Sequence, residues 1–265
     1  MIRQTLRRWW RRRILRRHAI PDPVWNAASR HPLTAGLDAA ERARLRAWAT
    51  LFLRDKQFHG THDLALTDAM RATIAVQASI PILGLDPDYY DGWSSVIIYP
   101  GAFLARREER DAAGVIHQVR HALTGEAWQH GPLILSWEDA RADARPEGTA
   151  SNVVIHECAH KLDMLNGAAN GCPSLHEDMD PHTWTEVLSR SYDALCREVS
   201  GGMPPALDPY GAENPAEFFA VASETFFTQP HILRDGYPDL YRQLRSFYRQ
   251  DPAARRERRN DHTEG

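Results

Sequence analysis

His156, Glu157 and His160 stand in an HExxH arrangement within the run Ile155-His156-Glu157-Cys158-Ala159-His160. Residues four apart share one face of an α-helix, so the two imidazoles can converge on one zinc ion while Glu157 projects close enough to hold and deprotonate an attacking water. The neighbours Val153, Val154, Ile155, Ala159, Leu162 and Leu165 make such a helix largely buried, and histidines inside a buried helix need partners. Catalytic zinc takes a third protein ligand and keeps one position open. A third histidine six residues beyond the second, with glycine halfway, is excluded because those positions hold Asn166 and Asp163. The alternative is a carboxylate from a later helix. Glu217 stands in Asn214-Pro215-Ala216-Glu217-Phe218-Phe219-Ala220, where apolar surroundings demand a compensating cation. Glu213, Glu224, Asp163, Asp178 and Asp180 compete for the role. A ligand histidine also needs an acceptor on its other nitrogen, for which Asp163 and Glu224 are candidates.

These residues must be carried by definite elements. The spacing predicts the metal helix over Asn152–Leu165, with Ser151 or Asn152 as its cap and Gly167 as its stop. A second helix starts near Pro215 and runs to Phe227, with the proline in its first turn. Between them lie a long polar loop over 166–182, a helix over Trp184–Val199 and a Gly/Pro-rich connection. Upstream, helices are predicted over Thr34–Phe52 and Thr67–Ser79, followed by a loop over Gly84–Gly92. Ser95–Tyr99, His117–Leu123 and Leu133–Trp137 read as strands of a small mixed sheet, the last of them offering an edge to an extended substrate. A last helix covers Pro238–Gln250, and residues 253–265 read as a frayed tail. The fold class is α+β: a small mixed sheet and an active-site helix in mostly helical surroundings, one domain over 21–252.

Composition narrows the classes of function. The 265 residues are 43% hydrophobic and 25% charged, as expected of a chain with a sizeable globular core. Three cysteines, Cys158, Cys172 and Cys196, suit a reducing compartment, and the expected location is cytoplasmic. The net charge of −3 conceals an uneven distribution: residues 1–17 hold eight arginines and no acid, which leaves the remainder at −11. An acidic body argues against direct nucleic-acid binding. Residues 1–20 read as a basic amphipathic segment that packs on the body, docks on a partner or rests on a membrane surface. Only two of the bases are lysines, Lys56 and Lys161, a scarcity that reads as a compositional effect.

The runs IHECAHKLDMLNG, NPAEFFAVASETFF and GEAWQHGPLILSW resemble the Mlc titration factor A family of bacterial zinc metallopeptidases, over about residues 20–250. The resemblance implies a zincin-like domain with one Zn2+ per chain on His156, His160 and Glu217, and Glu157 as general base. The Glu-Phe-Phe-Ala segment is also similar to the third-ligand helix of the anthrax lethal factor catalytic domain, where a tyrosine seven residues upstream helps stabilise the oxyanion; that position is Tyr210. Cys158 departs from the family pattern at a position where phenylalanine is expected, and its place two residues from His156 turns it toward the core. The activity implied is peptide hydrolysis on short, aminopeptidase-type substrates, with a repressor such as Mlc as a protein partner. A protein-binding regulator that sequesters a transcription factor without catalysis is the alternative.

Overall fold

The computed structural model describes residues 2–110, 116–123, 125–127, 131–142 and 151–261. The chain opens with three helices, α1 (Ile2–His18), α2 (Asp22–Ala28) and α3 (Ala39–Asp55), and then β1 (Gln57–Gly60) and α4 (Asp68–Ser79). Strands β2 (Ser95–Tyr99), β3 (Phe103–Arg110), β4 (Ile116–Leu123), β5 (Gly125–Ala127) and β6 (Leu133–Ser136) follow. The rest is helical: α5 (Trp137–Ala142), α6 (Val153–Asp163), α7 (Pro181–Ser200), α8 (Pro215–Thr228), α9 (Pro230–Gly236), α10 (Pro238–Tyr248) and α11 (Pro252–Asp261). Among the described residues no helix is long and apolar enough to cross a membrane.

The sheet is mixed, in the order β1-β2-β6-β5, with β1, β2 and β6 parallel and β5 antiparallel to β6. On one face Val96, Ile98, Leu133 and Leu135 are fully buried, as alternation requires. They join a single cluster with Leu45 and Phe52 of α3, Ile74 and Ala78 of α4, Val154 and Leu162 of α6, and Phe218, Phe219 and Phe226 of α8. This α+β arrangement is the one expected, with differences in its strands, among them the added β5. The strand expected over His117–Leu123 pairs with β3 in a separate antiparallel hairpin, from Phe103↔Leu123 to Arg110↔Ile116, because its neighbour in sequence closes on it first. β1 lacks an apolar alternation and is held by backbone pairing to Ser95–Ile98 of β2, which hydropathy does not encode. β6 is paired on both sides, so the substrate edge expected at Leu133–Trp137 is closed, and among the described residues the edge strands are β1 and β5.

Helix boundaries follow cap chemistry. Asp38 and Glu41 form a reciprocal capping box, which starts α3 at Ala39 rather than Thr34, and Thr67 caps α4. Pro23 lies in the first turn of α2, where its fixed φ favours a start. Residues 252–261 form α11, mostly within the stretch 253–265 that is expected to be frayed. Arg255 there is buried, donating to Glu41 Oε1 (3.1 Å) and Gln250 Oε1 (3.2 Å). Its carbonyl approaches Gly36, which has φ +75°, so closely that a Cβ at Gly36 would lie 2.5 Å away. Residues 262–265 lie outside the described residues.

The two lysines are buried around one indole. Lys56 donates to the carbonyls of Tyr90 (2.6 Å) and Trp93 (2.7 Å) with its ammonium 4.1 Å from the Trp93 ring centre. Lys161, on the metal helix, donates to Gly131 (2.9 Å) and lies 5.0 Å from the same ring. Burial pulls both down to about 8. Each ammonium, a compact charge with rotatable donors, is held by carbonyl acceptors close to the ring.

Candidate metal centre

The Asn152 side chain accepts from the Ile155 N–H (2.9 Å) and starts α6, whose Val154, Ile155, Cys158 and Leu162 are buried in the core. This leaves His156 and His160 together, their ring centres 4.9 Å apart. α8 begins at Asn214, whose side chain accepts from the N–H groups of Ala216 and Glu217, both at 3.0 Å. The phenylalanines behind it fix the rotation of α8 and turn Glu217, in its first turn, onto the two histidines.

Glu217 Oε2 lies 3.0 Å from His156 Nε2 and 3.2 Å from His160 Nε2, and the two nitrogens are 3.2 Å apart. One donor atom from each of the three lies within 4.8 Å of the others. Burial alone would raise the Glu217 carboxyl, but the hydrogen bonds from His156 and His160 outweigh it and hold the group well below the ordinary range. The N-terminus of α8 favours the same negative charge. Burial would also depress His156, yet the charge of Glu224 and the hydrogen bond to Glu217 hold it well above its usual value. Two nitrogens and one carboxylate oxygen directed at a common centre fit a divalent transition metal such as zinc.

Glu224, seven residues after Glu217 on α8, reaches the opposite edge of His156: its Oε2 lies 3.0 Å from Nδ1. Its Oε1 accepts from the Asn152 N–H (2.7 Å) and the Ser151 hydroxyl (3.3 Å). Asn152 Nδ2 donates in turn to Gln77 Oε1 (2.9 Å), and Gln77 Nε2 to the Ala140 carbonyl (3.0 Å). A buried polar chain thus runs from α4 through the cap of α6 to Nδ1 of the imidazole, leaving Nε2 as the edge turned to Glu217 and His160. Glu224→Ala is expected to weaken zinc binding about 10–100-fold in competition with a chelating indicator. Glu224→Gln, whose oxygen can accept from Asn152 only with its amide N–H turned onto Nδ1, is expected to weaken binding as well; equal affinity in the alanine variant and the parent would remove this orienting role.

The other acids go elsewhere. Asp163 is fully buried and accepts from the Asn170 (2.8 Å) and Gly171 (2.7 Å) N–H groups. Asp178 pairs with Arg249, Asp180 caps α7, and Glu213 lies at the end of the short turn before α8. The loop over 166–182 is pinned at several points. The Trp184 indole donates to the Gly171 carbonyl (3.0 Å), and His176 bonds the Phe247 carbonyl (2.8 Å) and the Tyr89 hydroxyl (3.2 Å).

Glu157 is buried beside the histidines, and its charge acts on His156. Tyr210 lies in the 3-10 turn Pro209–Ala212, 40% exposed, with its ring centre 6.1 Å from that of His156. That turn is set by Asp208, which accepts from the Tyr210 N–H (2.9 Å), and by Gly211, where a Cβ would lie 3.1 Å from Leu195 Cδ2. Cys158 is buried in the core, and burial pushes its thiol up to about 12. Sequence reasoning missed Gln77 and the bridging role of Asn152; neither an amide in a predicted helix nor a cap residue signals a partner across 75 positions.

Comparison with known proteins bears on this geometry. The family model of the glucose-regulated metallo-peptidase M90 matches residues 6–249. The chain belongs to the M90 family. It is 40% identical over 234 residues to Mlc titration factor A of Pectobacterium atrosepticum, covering 87% of each chain. It is 37% identical over 237 residues to Mlc titration factor A of Yersinia pestis, covering 88% of this chain and 87% of the relative. An uncharacterised Synechocystis protein matches at 37% over 246 residues, 92% of this chain and 89% of its own length. Membership of M90 makes the chain a metallopeptidase by family and implies a metal cofactor, for which the His156, His160 and Glu217 cluster is the candidate site.

Proposed function

We propose that this M90 protein is a zinc-dependent peptidase that cleaves short peptides in an aminopeptidase-type reaction, with one Zn2+ per chain held by His156, His160 and Glu217. The observation that carries the reading is the approach of His156 Nε2, His160 Nε2 and Glu217 Oε2 to within 3.0–3.2 Å of one another. When bound, zinc supplies a Lewis acid for the peptide carbonyl and makes water acidic near neutral pH. Glu157 takes a proton from the attacking water as its oxygen bonds to the carbonyl carbon. As the C–N bond breaks, Glu157 returns that proton to the leaving amine. The Tyr210 hydroxyl donates to the carbonyl oxygen as negative charge develops there. Glu224 keeps the His156 ring in register throughout. An extended substrate pairs along β5, the edge strand beside β6.

A second reading, compatible with the first, is supported by the names of the relatives: a transcriptional repressor of the Mlc type as protein partner, which entails a cytoplasmic site of action. As a regulator alone, the protein would bind such a repressor without hydrolysing anything. Metal analysis of the purified protein beside a panel of chromogenic amino-acid and short-peptide substrates tests the peptidase reading. About one zinc per chain and hydrolysis abolished by a chelator and restored by zinc are expected. Zinc-free protein with no turnover would leave the regulator reading in its place.

A further inference from the structure

α1 lies against α3 with Ile14 buried, and its mounting is electrostatic as well as apolar. Arg7 pairs with Asp88 (2.9 Å) and Asp91 (2.8 Å), and Arg11 with Asp86 (2.8 Å) and Asp88. These acids, all from the stretch after α4, hold one side of the helix down and fix which side faces out. Trp9, Arg12, Arg13 and Arg16 recur at i, i+3, i+4 and i+7 and therefore share the outward face. Trp9 is 55% and Trp10 49% exposed, and Arg12, Arg13, Arg16 and Arg17 are exposed around them. Among the described residues none of these four arginines, nor Arg54 of α3, has an acidic partner within ion-pair distance. Arg13, Arg17, His18 and Arg54, with Trp10 and Ile14, line a cleft of about 180 Å³ between α1 and α3.

We infer that this face docks on an anionic phospholipid bilayer, with Trp9 and Trp10 in the interfacial layer and lipid phosphates paired with Arg12, Arg13, Arg16, Arg17 and Arg54. Charge complementarity selects the occupant. The face is basic while the chain beyond residue 17 carries −11, so a negative surface attracts α1 and repels the body, which keeps the helix foremost. The indoles choose a bilayer over a nucleic acid. Trp9 protrudes from the convex side of the helix with Arg13 over its ring (5.7 Å), Trp10 stands half-exposed at the rim of the cleft, and exposed indoles flanked by arginines suit the headgroup region. A helix of 17 residues presents an edge about 25 Å long, enough for several headgroups at once. The metal centre plays no part in this attachment, so the inference stands or falls independently of the peptidase reading.

Co-sedimentation of the full chain with vesicles of equal phosphatidylglycerol and phosphatidylcholine, against vesicles of phosphatidylcholine alone, tests it. Binding to the anionic vesicles is expected to be at least about 50-fold tighter and to fall more than about tenfold between 50 and 500 mM NaCl. The combined variant R13Q/R17Q/R54Q is expected to lose about 100-fold, at about fivefold per charge, and W9S/W10S about tenfold. Both should keep the helical circular dichroism and the hydrolytic rate of the parent. Equal partition onto both vesicles, undiminished binding by the arginine variant, or stripping of the protein from vesicles by duplex DNA at equal phosphate concentration would overturn the inference. The last of these outcomes would assign the face to nucleic acid.

Discussion

Glu157→Gln is expected to retain the parent's zinc content while kcat/KM falls about 10²–10⁴-fold, the range that a positioned general base supplies. Glutamine matches glutamate in volume and stays within a buried helix face, so the packing of α6 against Val154, Cys158 and Leu162 is undisturbed. What it lacks is the capacity to take a proton and give it back. The same variant separates the two readings of the protein, because the metal ligands and the surface are untouched and binding of an Mlc-type repressor should persist. Metal analysis, steady-state kinetics and a pull-down with such a repressor read out the three quantities. Turnover within tenfold of the parent would remove Glu157 from the chemistry and move the base to another group.

Glu217→Ala is expected to lose zinc and hydrolysis together. The carboxylate meets both Nε2 atoms, and without it two imidazole nitrogens 3.2 Å apart are left facing each other. Removing a direct donor should cost more than the 10–100-fold in affinity that orienting residues contribute, so a loss beyond about 100-fold is expected. Zinc added to the parent should raise its Tm, because a ligand bound only to the native state stabilises it; that rise should largely vanish in the variant. Stoichiometric zinc and a full Tm response in Glu217→Ala would transfer the third position to another acid, with Glu224 nearest to hand.

These two residues mark how far the sequence reaches. His156, Glu157 and His160 were legible because a helix converts a spacing of four into proximity without help from the rest of the chain. Glu217 was legible as a candidate because a lone acid among phenylalanines is costly, but the same argument left Glu224 and Asp163 in contention. Packing separates their roles: α8 crosses α6 so that its first turn faces the Nε2 edge of His156 and its third turn the Nδ1 edge. Asp163, three residues beyond His160, is instead consumed by the backbone of the following loop.

The sheet shows the same division. β2 and β6 were visible as short apolar segments, whereas β1 and β5 owe their existence to hydrogen-bonding partners distant in sequence. Pairing on both sides of β6 closed the edge that the local pattern left open. The last segment looked frayed because it is highly charged; it is ordered because Arg255 finds Glu41, more than two hundred positions away. Lys56 and Lys161 passed for a quirk of composition until Trp93 was seen beneath both.

Residue types and spacings within a few turns were enough for the chemistry on offer, the approximate starts of the two helices of the centre, and an α+β frame. Packing sets which carboxylate faces which imidazole nitrogen, which strands form the edges of the sheet, and which arginines of α1 are spent on Asp86, Asp88 and Asp91 and which remain turned outward. Those are relations between elements, set by how apolar faces bury against one another, and no local pattern records the rotation at which two helices come to rest.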